Sequence, residues 1–186
     1  MRIQLTGLII ALTAIFAGIS FAVVLKSNAE ISEALKQRET TNALERVLEF
    51  VGEEHPVLNE ELKGEILVVN LWAGWCKPCL REIPELNELA NEFSSQNIRF
   101  LAFSPMDEKS DLLALEKVGL FFDYELFHLS PREVNAWNQF LLKHERAGYP
   151  TNIIVNEKGR IAFYEVGYSE DNIQKMRALL ELLTGD

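Results

Sequence analysis

Six consecutive residues, Ile66–Leu71 (ILVVNL), carry five apolar side chains and a single amide. A strand with one wet face would alternate apolar and polar residues. An unbroken apolar run instead implies a strand covered on both faces, as in sheets flanked by helices. The next segments repeat the arrangement. The spacing predicts a helix over Lys77–Phe93, bent near Pro84, and a second strand over Ile98–Phe103. Asp107 can cap a helix reaching Val118, with Leu112, Leu115 and Val118 on its inner face. A third strand is expected over Tyr124–Leu129. Ser130-Pro131-Arg132-Glu133 is a helix start with an N-cap serine, a proline at the first position and a glutamate three residues on. That helix should run to about His144, with Val134, Trp137, Phe140 and Leu141 inward. Thr151–Asn156 and Arg160–Val166 flank Glu157-Lys158-Gly159 as a hairpin, and Ser169 opens a last helix burying Ile173, Met176, Leu180 and Leu183. The expected fold class is α/β, a mixed central sheet flanked by helices.

A different pattern precedes this domain. Leu5 to Leu25 contains no charged residue and is bracketed by Arg2 and Lys26. About 20 apolar residues cross the hydrocarbon core of a bilayer, and a cleaved signal has an apolar region of only ~7–15. The run is therefore expected to be an N-terminal transmembrane helix. Ser20-Phe21-Ala22 and Ser27-Asn28-Ala29 keep cleavage open as the alternative. Either way the rest of the chain would cross the membrane. The expected divisions are a membrane anchor or signal at 1–26, a spacer and short amphipathic helix at 27–56, and the α/β domain at 57–186. Asn42 and Glu45 form a capping box for that short helix, Leu44, Val47, Leu48 and Val51 follow at helical spacing, and Gly52 stops it.

Composition removes several functions. Eighteen Lys+Arg against 28 Asp+Glu give a formal net charge of -10, and no basic stripe is present, so no nucleic-acid partner is expected. Two cysteines exclude a disulfide-stapled miniprotein and a four-thiolate zinc site.

Those two cysteines, in Trp75-Cys76-Lys77-Pro78-Cys79, stand three apart, just after a buried strand and at the start of a helix. The free N–H groups and dipole of a helix N-terminus stabilise an anion. Cys76 should therefore react as a thiolate, with Lys77 adding positive charge and Pro78 suiting the first turn. Cys79, one step inward, can attack a mixed disulfide formed at Cys76, which gives two-step thiol–disulfide exchange. A purely structural disulfide closing so short a loop would stabilise little. Two thiolates plus a histidine could hold copper or zinc. However, His55, His128 and His144 lack motif spacing to the pair, and each reads as a surface or loop residue.

Leu67–Cys79 (LVVNLWAGWCKPC) resembles the active-site strand and turn of thioredoxin-fold proteins. With Leu80-Arg81-Glu82-Ile83-Pro84-Glu85-Leu86 it resembles the membrane-anchored, extracytoplasmic TlpA/ResA/CcmG (DsbE)-like thiol-disulfide oxidoreductases. Gly148-Tyr149-Pro150-Thr151 and the hairpin after it are similar to the family's second signature, a cis-proline loop, and the likeness covers roughly residues 57–185. The resemblance implies Cys76 as nucleophile, Cys79 as resolving cysteine, and Cys76–Cys79 as a redox-active disulfide. It implies a cis-proline at Pro150, with Trp75, Tyr149 and Thr151 beside the substrate, and Glu82 as a proton acceptor. Lys77 and Pro78 would support the site, and no metal or other cofactor is implied. Asn70 stands where thioredoxin has a buried aspartate, and cannot accept a proton as a carboxylate can.

The implied activity is a protein-disulfide reductase acting on protein disulfides, with apocytochrome c as a candidate substrate, and re-reduced by a membrane thiol donor. The location would be the bacterial inner membrane as a single-pass monomer, its catalytic domain facing the periplasm, or the periplasm itself after cleavage. The alternatives are a disulfide-forming oxidase or isomerase, a copper-binding chaperone, and a tethered binding module with a vestigial site. Two remaining features are expected to be structural. Phe121, Phe122 and Phe127 should be core, and Glu53, Glu54, Glu60, Glu61 and Glu65 a solvated acidic face.

Overall fold

The computed structural model describes residues 64–142 and 148–185. The uncharged run at 5–25, the spacer, the capped helix at 42–51 and the domain divisions lie outside the described residues. So do His55, His144 and the acids at 53, 54, 60 and 61. Among the described residues no helix is long and apolar enough to cross a membrane.

Five strands form one mixed sheet: β1 (Ile66–Leu71), β2 (Ile98–Ser104), β3 (Glu125–His128), β4 (Thr151–Val155) and β5 (Ile161–Val166). Among the described residues, four helices cover it: α1 (Lys77–Glu92), α2 (Glu108–Val118), α3 (Pro131–Leu142) and α4 (Glu170–Thr184). The strand order is β3-β2-β1-β4-β5. β1, β2 and β3 are parallel, whereas β4 is antiparallel to both β1 and β5. The two crossovers through α1 and α2 step in the same direction across the sheet. Right-handed crossovers then put both helices on one face. The connection through α3 returns in the opposite direction and lies on the other face.

The period of two along the strands divides the core accordingly. Leu67, Val69, Leu71, Leu101, Phe103, Ile153 and Val155 meet Trp137, Phe140 and Leu141 of α3. Ile66, Val68, Phe100 and Ile154 meet Leu86 and Leu89 of α1 and Ile173, Met176 and Leu180 of α4. Both faces of β1 are buried along all six residues, as its sequence requires.

The caps follow the sequence. Ser130 N–H donates to Glu133 Oε2 at 2.7 Å while Glu133 N–H donates to Ser130 Oγ at 3.4 Å, a reciprocal capping box. Asp107 and Ser169 accept the N–H groups of Ser110 and Asn172. At the β4–β5 turn, Asn156 Oδ1 accepts from Lys158 and Arg160, and Gly159 takes φ 71°. α1 continues through Pro84 without interruption.

Several expectations are corrected. Leu112 and Val118 are half exposed. The buried face of α2 instead carries Asp111 and Leu115, so the helix is rotated from its apolar phase by an acidic residue. Phe121 is exposed, not core. Its carbonyl accepts from Asn87 Nδ2 at 2.8 Å and Asp123 N–H donates to Asn87 Oδ1, so polar clips to α1 hold this loop. Glu65 is no free surface acid, because it pairs with Arg99 at 2.9 Å. His128 closes β3 as a partly buried strand residue.

Candidate active site

Cys76 is the N-cap of α1, in extended conformation, and Pro78 occupies the first turn. Cys76 and Cys79 are joined by a disulfide. Cys79 N–H donates to Cys76 Sγ at 3.3 Å, so one of the helix's free donors is aimed at the sulfur. That contact strengthens when the sulfur carries charge. Cys76 is 4% exposed and Cys79 not at all. Both lie in a cluster with Trp72, Ala73, Ile83, Ala102 and Leu115. Lys77 and Pro78 are exposed at the helix start.

The second signature meets the first in space. Tyr149–Pro150 is a cis peptide bond. Tyr149 packs against the cluster that holds both cysteines. Its ring meets Trp75 edge-on, with centroids 5.7 Å apart. Trp75 is 64% exposed, the most prominent apolar surface beside the disulfide. Pro150 is buried, and its carbonyl accepts from Gly167 N–H at 2.8 Å. Thr151 Oγ1 donates to Gly148 O at 2.6 Å, which closes the loop upon itself.

Glu82 lies one helical turn after Cys79 and is fully buried. It is not a solvated helix residue. Asn70 Nδ2 donates to Glu82 Oε1 at 2.7 Å and Asn152 Nδ2 to Glu82 Oε2 at 3.0 Å. Asn70 Nδ2 also donates to Asn152 Oδ1 at 2.8 Å, which completes a ring of three side chains from α1, β1 and β4. Burial pushes the Glu82 carboxyl up to about 7, the two amides pull against it, and Glu85 adds a small upward push. Tyr124, on the loop before β3, stays protonated: burial raises its phenol well above 10 and the Glu82 charge adds to the effect. Asn70 therefore contributes a donor where a carboxylate was absent.

Asp111 is a second buried carboxylate. Asp111 of α2 accepts Gly74 N–H on Oδ1 at 3.2 Å, and its Oδ2 is 3.1 Å from His128 Nδ1. Burial raises its pKa, while Ser104, Gly74 and His128 oppose that rise. Gly74 has to be glycine for space: a Cβ there would come within 2.7 Å of Ala114 Cβ. The sequence reading missed Asp111, Asn152, Ser104 and Gly74. Its available signal was an acid at the position four before Leu115, where an apolar residue would complete the buried stripe. Among the described residues no cluster of three His, Cys, Asp or Glu could hold a metal ion.

The fold is thioredoxin-like. It is shared with a thiol:disulfide interchange protein of the thioredoxin family from Chlorobium tepidum TLS (TM-score 0.54, 22% identity, 67% of this chain and 83% of that one). It is also shared with a thiol-disulfide isomerase from Corynebacterium glutamicum (TM-score 0.53, 20% identity, 69% and 86%). Residues 19–164 match the AhpC/TSA family, and the chain belongs to that family. Among curated relatives it is similar to thiol-disulfide oxidoreductase ResA of Geobacillus thermodenitrificans, 30% identical over 111 residues, 59% of this chain and 58% of that protein. It is also similar to the thioredoxin-like protein YneN of Bacillus subtilis, 30% identical over 112 residues, 58% of this chain and 60% of that protein. The chain thus spans under two thirds of the length of these relatives. Their names agree with the TlpA/ResA/CcmG-like grouping that the motifs indicate.

Proposed function

We propose that this protein is a thiol-disulfide oxidoreductase that works as a protein-disulfide reductase outside the cytoplasm. The observation that carries the reading is the placement of Cys76: it caps α1, its sulfur receives the Cys79 N–H, and Trp75 and the cis-Pro150 loop stand beside it. The names of its relatives, thiol-disulfide oxidoreductases, support the same activity.

In the reduced protein the Cys76 thiolate attacks one sulfur of a substrate disulfide. A mixed disulfide forms, and the other substrate sulfur leaves as a thiolate that takes a proton. Cys79 then loses its proton, and its thiolate attacks Cys76 Sγ. The second substrate sulfur is released and the Cys76–Cys79 disulfide forms again. Two electrons have moved to the substrate. Glu82 takes the Cys79 proton in this scheme; a carboxyl near 7 is suited to exchange it near neutral pH. A dithiol donor returns the pair to the reduced state. Trp75, Tyr149, cis-Pro150 and Thr151 form the surface presented to substrate. The uncharged run at Leu5–Leu25 supports a single-pass inner-membrane anchor or signal with a periplasmic domain; the membrane thiol donor and the monomeric state are proposed on family resemblance. Apocytochrome c is the proposed substrate on family resemblance alone.

Equilibrating the full-length chain with redox buffers of known poise tests the direction. A potential below about −200 mV, toward the ~−270 mV of thioredoxin, supports the reductase. A value near −120 mV overturns it in favour of disulfide formation.

A further inference from the structure

The exchange scheme leaves the buried carboxyl of Asp111 unused. Asp111 is fully buried, on the inner face of α2. Its surroundings come from the carboxyl ends of all three parallel strands. Gly74 lies in the loop that leaves β1, two residues before Cys76, and donates its N–H to Asp111 Oδ1 at 3.2 Å. Ser104 is the last residue of β2, and its hydroxyl opposes the rise that burial gives the Asp111 pKa. The Ser104 Oγ accepts Met106 N–H at 3.1 Å. His128 is the last residue of β3, in register with Ser104, and its Nδ1 is 3.1 Å from Asp111 Oδ2. One side chain therefore bridges three strand ends at the point where the chain turns into the cysteine pair. The loop has no slack there, because Gly74 sits against Ala114 and Asp111 so closely that even a methyl group would collide. Cys76 N–H donates to Ala73 O at 2.9 Å, so displacing Gly74 displaces the turn that orients Cys76.

We propose that Asp111, through its bond to Gly74 N–H, is a positioning residue that holds the Gly74–Cys76 turn in the register aligning Cys76 Sγ with the N-terminus of α1. The inference deepens the exchange function and rests on Cys76 being its nucleophile. Asp111 does not touch substrate. It acts by keeping the sulfur on the helix axis, where N–H donors hold it as thiolate. A carboxylate is required less for its charge than for its oxygen on Gly74 N–H, and His128 Nδ1 stands 3.1 Å from the other oxygen.

Two readouts that need no substrate test this on the full-length reduced chain: hydrogen exchange at the Gly74 amide, and the rate of Cys76 alkylation by iodoacetamide at pH 7. Asp111→Ala should raise Gly74 exchange and slow alkylation, each by about tenfold. Asp111→Asn keeps an acceptor for Gly74 and should stay within about twofold of wild type on both counts. His128→Gln should shift both by about threefold. A folded Asp111→Ala chain with wild-type rates would overturn the proposal, as would an asparagine variant as impaired as the alanine one. If Asp111→Ala does not fold, the partly exposed His128→Gln decides, and unchanged Gly74 exchange there refutes the proposal. A wild-type chain that reduces no disulfide would sink the reductase reading while leaving these rates standing.

Discussion

Glu82 and Asp111 are both fully buried acids beside the same disulfide, and they are held in opposite ways. Glu82 hangs from the helix that starts at Cys76 and faces two amides, one from β1 and one from β4. No cation approaches it within ion-pair distance among the described residues. Asp111 projects from a different helix toward a histidine, a serine and a backbone N–H. Neutral donors offset burial only in part, and leave Glu82 with its carboxyl near 7. Asp111 instead accepts a backbone N–H and stands 3.1 Å from His128 Nδ1. The first arrangement suits a group that must gain and lose a proton. The second suits a group that must stay in place. Burial alone therefore does not define the role of an acid; the donors around it do.

The largest effect lies at the centre of the comparison. Cys76→Ser should abolish disulfide exchange, with turnover down by at least about 10³-fold, because Cys76 is the sulfur that attacks the substrate disulfide in the proposed scheme. Glu82→Gln should come next, slowing resolution of the mixed disulfide by about 10²-fold in single-turnover kinetics. It should also remove the rise of that rate through pH 7. Stability gives an independent check. The folded carboxyl binds its proton more tightly than the unfolded one, about 7 against 4.5. Wild-type stability should therefore fall as pH rises between those values, by on the order of 3 kcal/mol, and be flat above. Denaturant titrations of wild type and Glu82→Gln across that window should diverge below pH 7 and run parallel above it. Parallel curves throughout would place Glu82 with Asp111, as a scaffold.

How far these roles could be read from sequence depends on where each residue's partners come from. Cys76, Cys79 and the helix start are local, and a strand, a turn and a proline within fifteen residues specify them. The box at Ser130 and Glu133 is likewise local and folds as its spacing requires. Glu82 shares a helix with Cys79, so its proximity was legible. Its ring was not, since Asn152 is 70 residues away and reaches it only through the antiparallel pairing of β1 and β4. Asp111 was hidden for a further reason. Leu112 and Val118 offered a plausible apolar stripe, and the helix turned away from it to bury a carboxylate. Pattern reading assumes that apolar residues set the phase, and here the bridge across the strand ends set it instead. Phe121 misleads in the same way, because two asparagines of α1 hold its loop by polar bonds and leave the ring in water.

A smaller change sharpens the contrast from the Glu82 side. Asn152→Leu removes one donor to the carboxylate and leaves burial unchanged. The midpoint of the pH–rate profile should then move upward by about one unit. Asn70→Leu should move it in the same direction by less, since the Asn152 bond opposes burial more strongly. Neither variant should alter Gly74 exchange. A shift there would mean that the two acids are coupled through α1 and are not separate devices.

The smallest effect on thiol chemistry should come from the rim. Trp75 is 64% exposed, and its described ring contact is an edge-on meeting with Tyr149, worth about 1 kcal/mol. Trp75→Ala should leave melting temperature and iodoacetamide alkylation of Cys76 nearly unchanged, because neither the helix cap nor the Asp111 bridge involves the indole. What it removes is apolar area that a folded or extended protein substrate would cover. KM for a protein disulfide should rise about fivefold at constant kcat, while kcat/KM for a small disulfide such as oxidised glutathione stays put. Asp111→Ala should slow both substrates equally, since it acts on the sulfur itself. The ratio of the two kcat/KM values therefore separates surface from scaffold in one assay: it falls for Trp75→Ala and holds for Asp111→Ala. If it falls for both, the Gly74 turn shapes the binding surface as well as the thiolate.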